Sequence, residues 1–350
     1  MLVASPLIAT GLTLAAGFVL FLGLGRDPVS ALRTFFIAPV SSKNGVAELL
    51  LKAAPLMLIA QGLAIGFRAN VWNIGAEGQL ALGAICASAL AIGFDGTASG
   101  WLLPAMLVAG AVGGMAWAAI PAWLRTRFNA SEILVTLMLT YVGSLLLSYL
   151  VHGPMRDPQG LNFPQSILFG EAALFPSLMA GTRLNASVLL APIAAAAAWL
   201  FVSKSFVGYQ MLVGGLAPPA ARYAGFSEKR AVWLALLIGG GAAGVAGVAE
   251  VAGPLGQLLP VVSPGYGFAA IIVAFVGRLH PLGIALASLL MSLLYLGGES
   301  AQVALGLPSA ITGLFQGMLL FFLLGSDVFV YYRIRPARGG RRKRPVPEQA

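Results

Sequence analysis

Long apolar stretches fill most of the chain and are separated by short polar ones. A membrane-spanning helix needs about 20 apolar residues, and ten stretches approach or reach this length. They lie at approximately 7–24, 47–67, 71–94, 101–124, 133–151, 188–202, 231–252, 266–276, 282–296 and 310–330. Arg278, His280 and Pro281 separate the eighth stretch from the ninth, because a proline inside a helix removes a backbone hydrogen bond. The pattern predicts an all-α membrane protein with about ten transmembrane helices.

The composition excludes a soluble protein. Of the 350 residues, 59% are hydrophobic and only 9% are charged, whereas soluble domains carry about 25% charged residues. The long apolar blocks also differ from the alternating pattern of an outer-membrane barrel. We therefore expect the surface of the folded chain to face a lipid bilayer.

The positive charges predict an orientation in the membrane. The formal net charge is +9, and lysines and arginines concentrate on the cytoplasmic side of membrane proteins. Placing both termini in the cytoplasm also places most of the positive residues there. The exceptions are Arg26, Arg33, Lys43, Arg156 and Arg183, which fall outside, and Lys52, which falls within a span. The basic excess thus reflects membrane topology and not nucleic-acid binding.

Two long connections and a tail complete the predicted organisation. Residues 1–332 are expected to form the membrane domain, and 333–350 a basic cytoplasmic tail that is disordered and can rest on anionic lipid. The connection 153–187 is extracytoplasmic and rich in Pro, Gly and Asn. The connection 203–230 is cytoplasmic and contains a short helical segment.

Motifs for catalysis are missing from the sequence. It has no phosphate-binding P-loop, no zinc-protease motif and no nucleophile elbow, so no catalytic residue is predicted. With Cys86, His152 and His280 as its complete set of cysteines and histidines, it offers no disulfide framework and no Cys/His metal site. A G-x-G-x-x-G match at 239–244 lies in the middle of a span, where small residues favour close helix packing.

Polar residues interrupt the start of the third stretch. Asn73, Glu77 and Gln79 lie there beside Gly75 and Gly78. A carboxylate within a span is costly unless it faces a cavity or a partner. One interpretation is a broken helix that lines a substrate path with exposed backbone and amide groups. The other is local capping, because Asn73 can cap a helix and the helix dipole favours Glu77 in the first turn.

The cytoplasmic connection contains a short helix with a small apolar face. Pro218 and Pro219 can begin it, and Gly225 can end it. Its apolar face would consist of Ala220, Ala221 and Tyr223. Such a helix is either a docking element or an ordinary surface helix.

A second interrupted segment precedes and includes the eighth stretch. The Gly- and Pro-containing residues 253–265 are poorly suited to a straight lipid-facing helix, which suggests backbone buried in protein or in a cavity wall. In the predicted topology, residues 72–83 enter the membrane from the cytoplasmic side and residues 265–277 enter it from the extracytoplasmic side. Similar segments in opposite directions point to an inverted repeat, with spans two to five and seven to ten as its halves.

Several charged residues have structural interpretations. The segment 129–132 has the spacing of a capping box. Glu48 and Lys52 are four residues apart and can pair on one helix face. Glu250 and Glu299, near the outer ends of spans, could reach lipid headgroups or a docking partner.

Several segments together resemble the permease family of bacterial ABC importers for simple sugars, nucleosides and branched-chain amino acids. The resemblance is strongest to the nucleoside (or simple-sugar) branch and extends over roughly 47–325. The matching segments are 73–79, 132–139, 153–158 with 162–166, 220–225, 265–268 and 277–283.

The resemblance implies a transport subunit and not an enzyme. It implies a substrate pathway, for which the candidate residues are Asn73, Glu77, Gln79, Tyr266 and Phe268. It also implies a coupling segment for an ATPase, with the candidates Ala217, Ala220, Ala221, Arg222, Tyr223 and Gly225. No metal or other cofactor is expected in this chain, and ATP and magnesium are expected on partner ATPase chains.

The partners and substrate expected from the resemblance follow the same pattern. They are a second permease subunit in a heterodimer, an ABC ATPase, an extracytoplasmic solute-binding protein and the bilayer of a bacterial cytoplasmic (inner) membrane. Nucleosides are the expected substrates, and sugars or branched-chain amino acids are the alternatives. An ion-coupled secondary transporter is an alternative from another class, but it needs buried acidic residues near the midplane, and most carboxylates here lie near span ends.

Overall fold

The structure is a computed structural model that describes residues 4–331, with side chains from Ser5 to Ser326. The basic tail predicted at 333–350 lies outside the described residues. Within the described part, helices and loops account for the whole chain, apart from one isolated antiparallel bridge between Ser177 and Asn185. The predicted all-α class is confirmed.

Thirteen α-helices follow one another in the described chain. They are α1 (Ala4–Gly23), α2 (Pro28–Phe36), α3 (Lys43–Arg68), α4 (Ala76–Gly93), α5 (Leu102–Phe128), α6 (Glu132–His152), α7 (Leu190–Lys204), α8 (Phe206–Leu216), α9 (Pro218–Tyr223), α10 (Glu228–Glu250), α11 (Tyr266–Val276), α12 (Pro281–Leu305) and α13 (Ala310–Tyr331). Short 3₁₀ turns lie at Ala38–Val40, Glu171–Ala173 and Ala186–Leu189, and a π turn at Val251–Leu255.

The ten predicted spans correspond to ten of these helices. Eight described helices are long and apolar enough to cross a membrane, and α11 and the described part of α13 are shorter apolar helices. The ninth span is longer than predicted, because α12 continues to Leu305. The pattern did not predict α2, a short helix whose N-cap Asp27 accepts a hydrogen bond from the Ser30 N–H at 2.9 Å.

The two ends of the helix bundle can be named by their residues. At the Arg68 end, α3 ends and α12 begins, and the Arg68 guanidinium donates to the Leu279 carbonyl at 3.1 and 2.7 Å. Residues near the start of α3 define the opposite, Glu48 end. Ser5 in the first turn of α1 hydrogen-bonds Ser326 near the end of α13 at 2.8 Å. The first and last helices are therefore antiparallel neighbours.

Glycines form the seam between α4, α5 and α10. A Cβ on Gly240 would lie 2.5 Å from the Gly114 carbonyl oxygen, and one on Gly244 would lie 3.2 Å from the Cα of Gly114. Small residues allow such close approach of helix backbones in membranes. The interpretation of the 239–244 motif as a packing element is confirmed.

The pairing of helices follows the arrangement that an inverted repeat predicts. Helix α4 packs on α10 as α11 packs on α3, and α4 packs on α6 as α11 packs on α13. Helix α4 runs from the interior towards the Glu48 end, whereas α11 runs from the interior towards the Arg68 end. Both helices thus start inside the bundle and point in opposite directions.

Candidate functional site

The starts of α4 and α11 meet inside the bundle. Each follows a non-helical segment, 69–75 for α4 and 256–265 for α11. The Gly267 N–H donates a 2.6 Å hydrogen bond to the Glu77 carboxylate, so the first turns of both half-helices touch. A helix N-terminus carries partial positive charge, and Glu77 supplies the negative charge that both ends require. The third predicted span therefore begins later than expected, because 71–75 is non-helical and α4 starts at Ala76.

Only a glycine permits this contact. A Cβ on Gly267 would lie 2.6 Å from the Cα of Glu77, which is closer than real Cβ atoms approach. The Ser263 hydroxyl oxygen accepts from the Gly265 N–H at 3.1 Å and from the Tyr266 N–H at 2.8 Å. Serine and carboxylate together therefore satisfy the exposed backbone donors at the start of α11.

Asn73 and Gln79 form a closed amide pair. The Asn73 amide nitrogen donates to Gln79 at 2.9 Å, and the Gln79 amide nitrogen donates back at 3.1 Å. Asn73 also accepts from the Gly75 N–H at 3.0 Å. Both side chains are buried. They hold the turn before α4, as the capping interpretation requires, and in this conformation they face each other and not a solute.

Tyr266 and Phe268 differ in exposure. Tyr266 is buried and packs edge-on against Tyr295, with ring centroids 5.5 Å apart. Phe268 is 39% exposed, and Glu77 beside it is half-buried. Of the five predicted pathway residues, Glu77 and Phe268 therefore have accessible side chains.

Helix α6 closes the segment before α4 with two side chains. The Thr136 hydroxyl accepts from the Ile74 N–H at 3.2 Å, and the Glu132 carboxylate accepts from the Trp72 N–H at 3.4 Å. Glu132 also forms an ion pair with Arg125. The capping box predicted at 129–132 is wrong, because Asn129 is the left-handed C-cap of α5, and Glu132 is the first residue of α6 and reaches to another segment.

The predicted cytoplasmic helix is α9, and it has the expected boundaries. Pro218 and Pro219 occupy its first positions. After it, Gly225 has φ +77 and donates to the Arg222 carbonyl, and Phe226 donates to the Ala221 carbonyl. Hydrogen bonds of this kind satisfy the last carbonyls of a helix.

The exposed face of α9 differs from the predicted one. Tyr223 is 97% exposed, and Ala220 and Arg222 are also exposed. Ala217 is half-exposed before the helix. Ala221 is buried against the bundle, so it anchors the helix. The face available to another protein thus centres on Tyr223.

Charged side chains at the Glu48 end pair across elements. Arg183 donates two hydrogen bonds of 2.8 Å to the Glu48 carboxylate, and Lys52 donates one of 2.8 Å to Glu299. Donation to the Glu48 carboxylate raises the pKa of the Arg183 guanidinium. The predicted pair of Glu48 with Lys52 is wrong, because each side chain has its partner on a different element.

A cavity of about 310 Å³ lies beside these pairs. Glu250 lines it and is buried, contrary to the expectation that it would reach headgroups or a docking partner. Glu299 is held by Lys52. The cavity is lined by Glu48, Leu51, Lys52, Arg183, Glu250, Pro254, Leu255, Val261, Val262, Ser263, Pro264, Tyr266 and Glu299. It therefore extends from the charged end to the first turn of α11.

The loop between α6 and α7 is hydrogen-bonded to the segment before α11. Backbone bonds join Ser166 to Leu258 (3.0 Å), Phe169 to Gly256 (2.9 Å) and Phe175 to Ala252 (2.9 Å). The Ser166 hydroxyl also accepts from the Leu258 N–H at 2.9 Å. This loop thus satisfies backbone groups that would otherwise be unpaired in the membrane.

Comparison with known families decides the class of this protein. The family described as the branched-chain amino acid transport system permease component matches residues 45–324, which is most of the chain. The chain belongs to this permease family. The matched region includes the meeting point of α4 and α11, the helix α9 and the charged cavity.

Curated relatives extend the similarity of the permease to almost its full length. It is 37% identical to a glucose ABC transporter permease of Haloferax volcanii, over 94% of this chain and 89% of the relative. It is 29% identical to a guanosine ABC transporter permease of Bacillus subtilis, over 97% and 96%. It is 28% identical to a nucleoside ABC transporter permease of Lactococcus lactis, over 91% and 89%. No solved structure is significantly similar to it.

These relatives confirm the class that the resemblance implied. The protein is a multi-pass membrane permease of an ABC importer. In two organisms, the relatives include a second matching permease that carries a glucose or guanosine transport name. The family therefore contains permeases that occur in pairs.

Sequence reasoning missed three residues that shape the site of the permease. They are Thr136, Ser166 and Ser263. Ser166 and Thr136 fall in segments that carried the resemblance, and Ser263 precedes one. Their residue type gave no signal, because a hydroxyl in a span usually bonds its own helix. The partners of Thr136 and Ser166, which are Ile74 and Leu258, also lie far away in the sequence.

Proposed function

We propose that this permease imports nucleosides together with a second permease subunit, an ABC ATPase and an extracytoplasmic solute-binding protein. The observation that carries this proposal is the contact of two half-helices, Glu77 to Gly267, inside the bundle. Broken helices whose N-termini meet inside a membrane are typical of substrate sites in transporters. The pathway would pass Glu77 and Phe268, whose side chains are accessible.

The proposed orientation places the Arg68 end in the cytoplasm. This end carries Arg68, Arg125, Arg222 and Arg230, as the distribution of positive charge in membrane proteins favours. Both termini and α9 would then face the cytoplasm of a bacterial inner membrane. The 153–187 loop would face outside, where a binding protein delivers the substrate.

ATP hydrolysis is assigned to partner chains in this proposal. The sequence contains no P-loop, so ATP and magnesium would bind on the ATPase subunits. The exposed Tyr223 side chain of α9 supports a docking role, since tyrosine is enriched among residues that dominate binding at interfaces.

A chain of contacts can carry the ATPase motion to the pathway. Helix α9 packs on α8. In α8, Gly215 lies against the end of α3, where an added Cβ would be 3.0 Å from the carbonyl carbon of Ala69. Arg68 then holds the Leu279 carbonyl after α11. Displacement of α9 would therefore move α11, whose first turn contacts Glu77.

The docking assignment can be tested with a matched pair of variants. Tyr223→Ala should weaken ATPase association about 30-fold, as expected when an interface residue that contributes about 2 kcal/mol is lost. Lys229→Ala removes another exposed side chain at the same end and should leave association unchanged. Co-purification of the ATPase with each variant measures the effect. Equal retention by both variants would contradict the assignment.

Uptake of radiolabelled guanosine tests the substrate. Cells lacking the permease, and without a redundant nucleoside system, should lose ATP-dependent uptake, and the restored gene should return it. Unchanged uptake would reject nucleosides as substrates. Glucose is the second candidate, because the 37% identical relative is named as a glucose permease. Radiolabelled glucose in the same cells distinguishes the two.

A further inference from the structure

Glu250 is a buried carboxylate without a close partner. It is the last residue of α10, is 7% exposed and lines the 310 Å³ cavity. Among the described residues, no hydrogen bond or ion pair reaches its carboxylate. A buried polar group without hydrogen bonds is costly, so this carboxylate is placed where a ligand in the cavity can satisfy it.

The neighbouring charges are already paired. Lys52 binds Glu299, and Arg183 binds Glu48 through two hydrogen bonds. Three carboxyl groups thus share the cavity with two cations, and Glu250 is the one whose carboxyl group has no ion-pair partner among the described residues. A divalent metal would need about six oxygen ligands. Because two of the three carboxylates hold cationic side chains, the cavity suits a hydrogen-bond donor better.

The cavity leads to the meeting point of the half-helices. Ser263 and Tyr266 line it together with Glu250. The Ser263 hydroxyl accepts from the Tyr266 N–H, and Glu77 accepts from the next backbone donor, the Gly267 N–H. A solute in the cavity would therefore touch the same turn that closes the proposed pathway. Its volume is within the range of about 300–1,000 Å³ that is usual for ligand pockets.

We propose that this cavity is an entry site for a hydroxyl-bearing solute, and that Glu250 accepts hydrogen bonds from adjacent hydroxyl groups of that solute. This inference rests on the proposed function, because it assumes that the permease transports a nucleoside or a sugar. Both solute classes carry neighbouring hydroxyl groups. A buried polar group without hydrogen bonds is costly, and a solute hydroxyl group can remove this cost by donating to the Glu250 carboxyl group, whereas a solute without such a hydroxyl group cannot.

The first test compares two Glu→Gln variants in the complete transporter. Glu250→Gln keeps the size of the side chain and replaces one acceptor oxygen by an amide nitrogen that can only donate, and it should raise the KM for uptake about 10-fold. Glu171→Gln is the control, because Glu171 is exposed in the loop at the same end and does not line the cavity. Membrane abundance and ATPase co-purification verify that both variants assemble. An unchanged KM in an assembled Glu250→Gln transporter would overturn the proposal.

A second test identifies the groups that Glu250 binds. Radiolabelled guanosine uptake is inhibited with guanosine or with 2′,3′-dideoxyguanosine, which lacks the adjacent 2′- and 3′-hydroxyls of the ribose. In the wild-type complex, the dideoxy compound should inhibit about 10-fold less well, and in Glu250→Gln this difference should disappear. A difference of equal size in both complexes would place the recognition elsewhere and overturn the proposal. If the wild-type complex transports glucose instead, 2-deoxyglucose and glucose replace the two nucleosides.

Failure of the inference and failure of the proposed function give different results. If the wild-type complex takes up neither guanosine nor glucose, the proposed function fails. If it transports one of them and Glu250→Gln shows unchanged KM and inhibitor preference, only the entry site fails. Uptake that requires sodium or potassium in the wild type, but not in Glu250→Gln, would identify a cation site and also overturn the proposal.

Discussion

The two non-helical segments that precede α4 and α11 are held in different ways. Residues 69–75 are held by side chains, through the Thr136 hydroxyl, the Glu132 carboxylate and the Asn73 amide. Residues 256–265 are held by the 153–187 loop, through the backbone of Ser166 and Phe169 and the Ser166 hydroxyl. The first segment is therefore fixed by the bundle itself. The second depends on a surface loop that another protein can contact.

This difference suggests which half of the repeat moves. Helix α4 is also fixed along its length by the glycine seam with α10, where a Cβ on Gly247 would lie 2.9 Å from the Ala84 nitrogen. Helix α11 is only eleven residues long and is bounded by a hydrogen-bonded loop at one end and Arg68 at the other. We expect α4 to act as the fixed half and α11 as the mobile half.

The largest effect is expected where the two halves touch. Gly267→Ala adds a Cβ that collides with the backbone of Glu77, and overpacking of this kind costs about 1–3 kcal/mol. Uptake should fall more than 10-fold, with reduced abundance in the membrane. Gly313→Ala is the control, because nothing lies within 4 Å of its added Cβ. Normal uptake by Gly267→Ala would contradict the close contact.

The next effect tests the fixed segment. Thr136→Val leaves the Ile74 N–H without its acceptor, and an unpaired buried donor costs about 1–3 kcal/mol. The thermal unfolding midpoint in detergent should fall accordingly. Thr140→Val is matched, because the Thr140 hydroxyl bonds only its own helix, at the Thr136 carbonyl. Equal midpoints for the two variants would show that the Ile74 bond contributes nothing.

A smaller and more local effect is expected in the mobile segment. Ser166→Ala removes the hydroxyl that accepts from the Leu258 N–H, while the backbone bond between the two residues remains. Amide hydrogen exchange should accelerate at Leu258 about 5-fold, for a loss of about 1 kcal/mol. Ser177→Ala, whose hydroxyl bonds only the nearby Met179 carbonyl, should leave that exchange unchanged. Faster exchange at Ile74 and unchanged exchange at Leu258 would contradict the prediction that the loop holds the segment before α11.

The smallest effect is expected at the ion pair that ties the loop to α3. Arg183→Lys loses the two-bond geometry with Glu48, and exposed pairs contribute about 0.2–1 kcal/mol. The thermal midpoint should fall slightly at low salt and not at high salt. Because the pKa of Arg183 is raised above its ordinary value, the ion pair stabilises the fold fully at every pH below the ordinary pKa of arginine. The stabilisation is lost only when the pH rises through the raised pKa. A midpoint that changes between neutral and mildly alkaline pH would not come from this arginine.

Much of the fold follows from the sequence because membrane spans depend on local apolar runs. The boundaries of α11 and the start of α9 are examples, set by Gly265 and Pro218. The interruption before α4 was also visible, since polar residues within an apolar run are costly.

The contacts between the interruptions were not predictable in the same way. The bond from Gly267 to Glu77 joins residues that are 190 positions apart. Glu48 likewise pairs with the distant Arg183, although Lys52 lies only four residues from it in the sequence. Spacing along the sequence favours partners on the same helix. Packing of the bundle, however, brings segments together that are distant in the sequence, and the charge of a residue does not reveal which distant segment will lie beside it.

The glycine seam has a consequence for how the protein can change shape. Where backbone touches backbone, as at Gly114 and Gly240, there are no side-chain rotamers that could adjust to a sliding movement. Helices α4, α5 and α10 are thus expected to travel as a single rigid block. A drug or lipid that wedges open this seam would disable the permease without approaching its solute route.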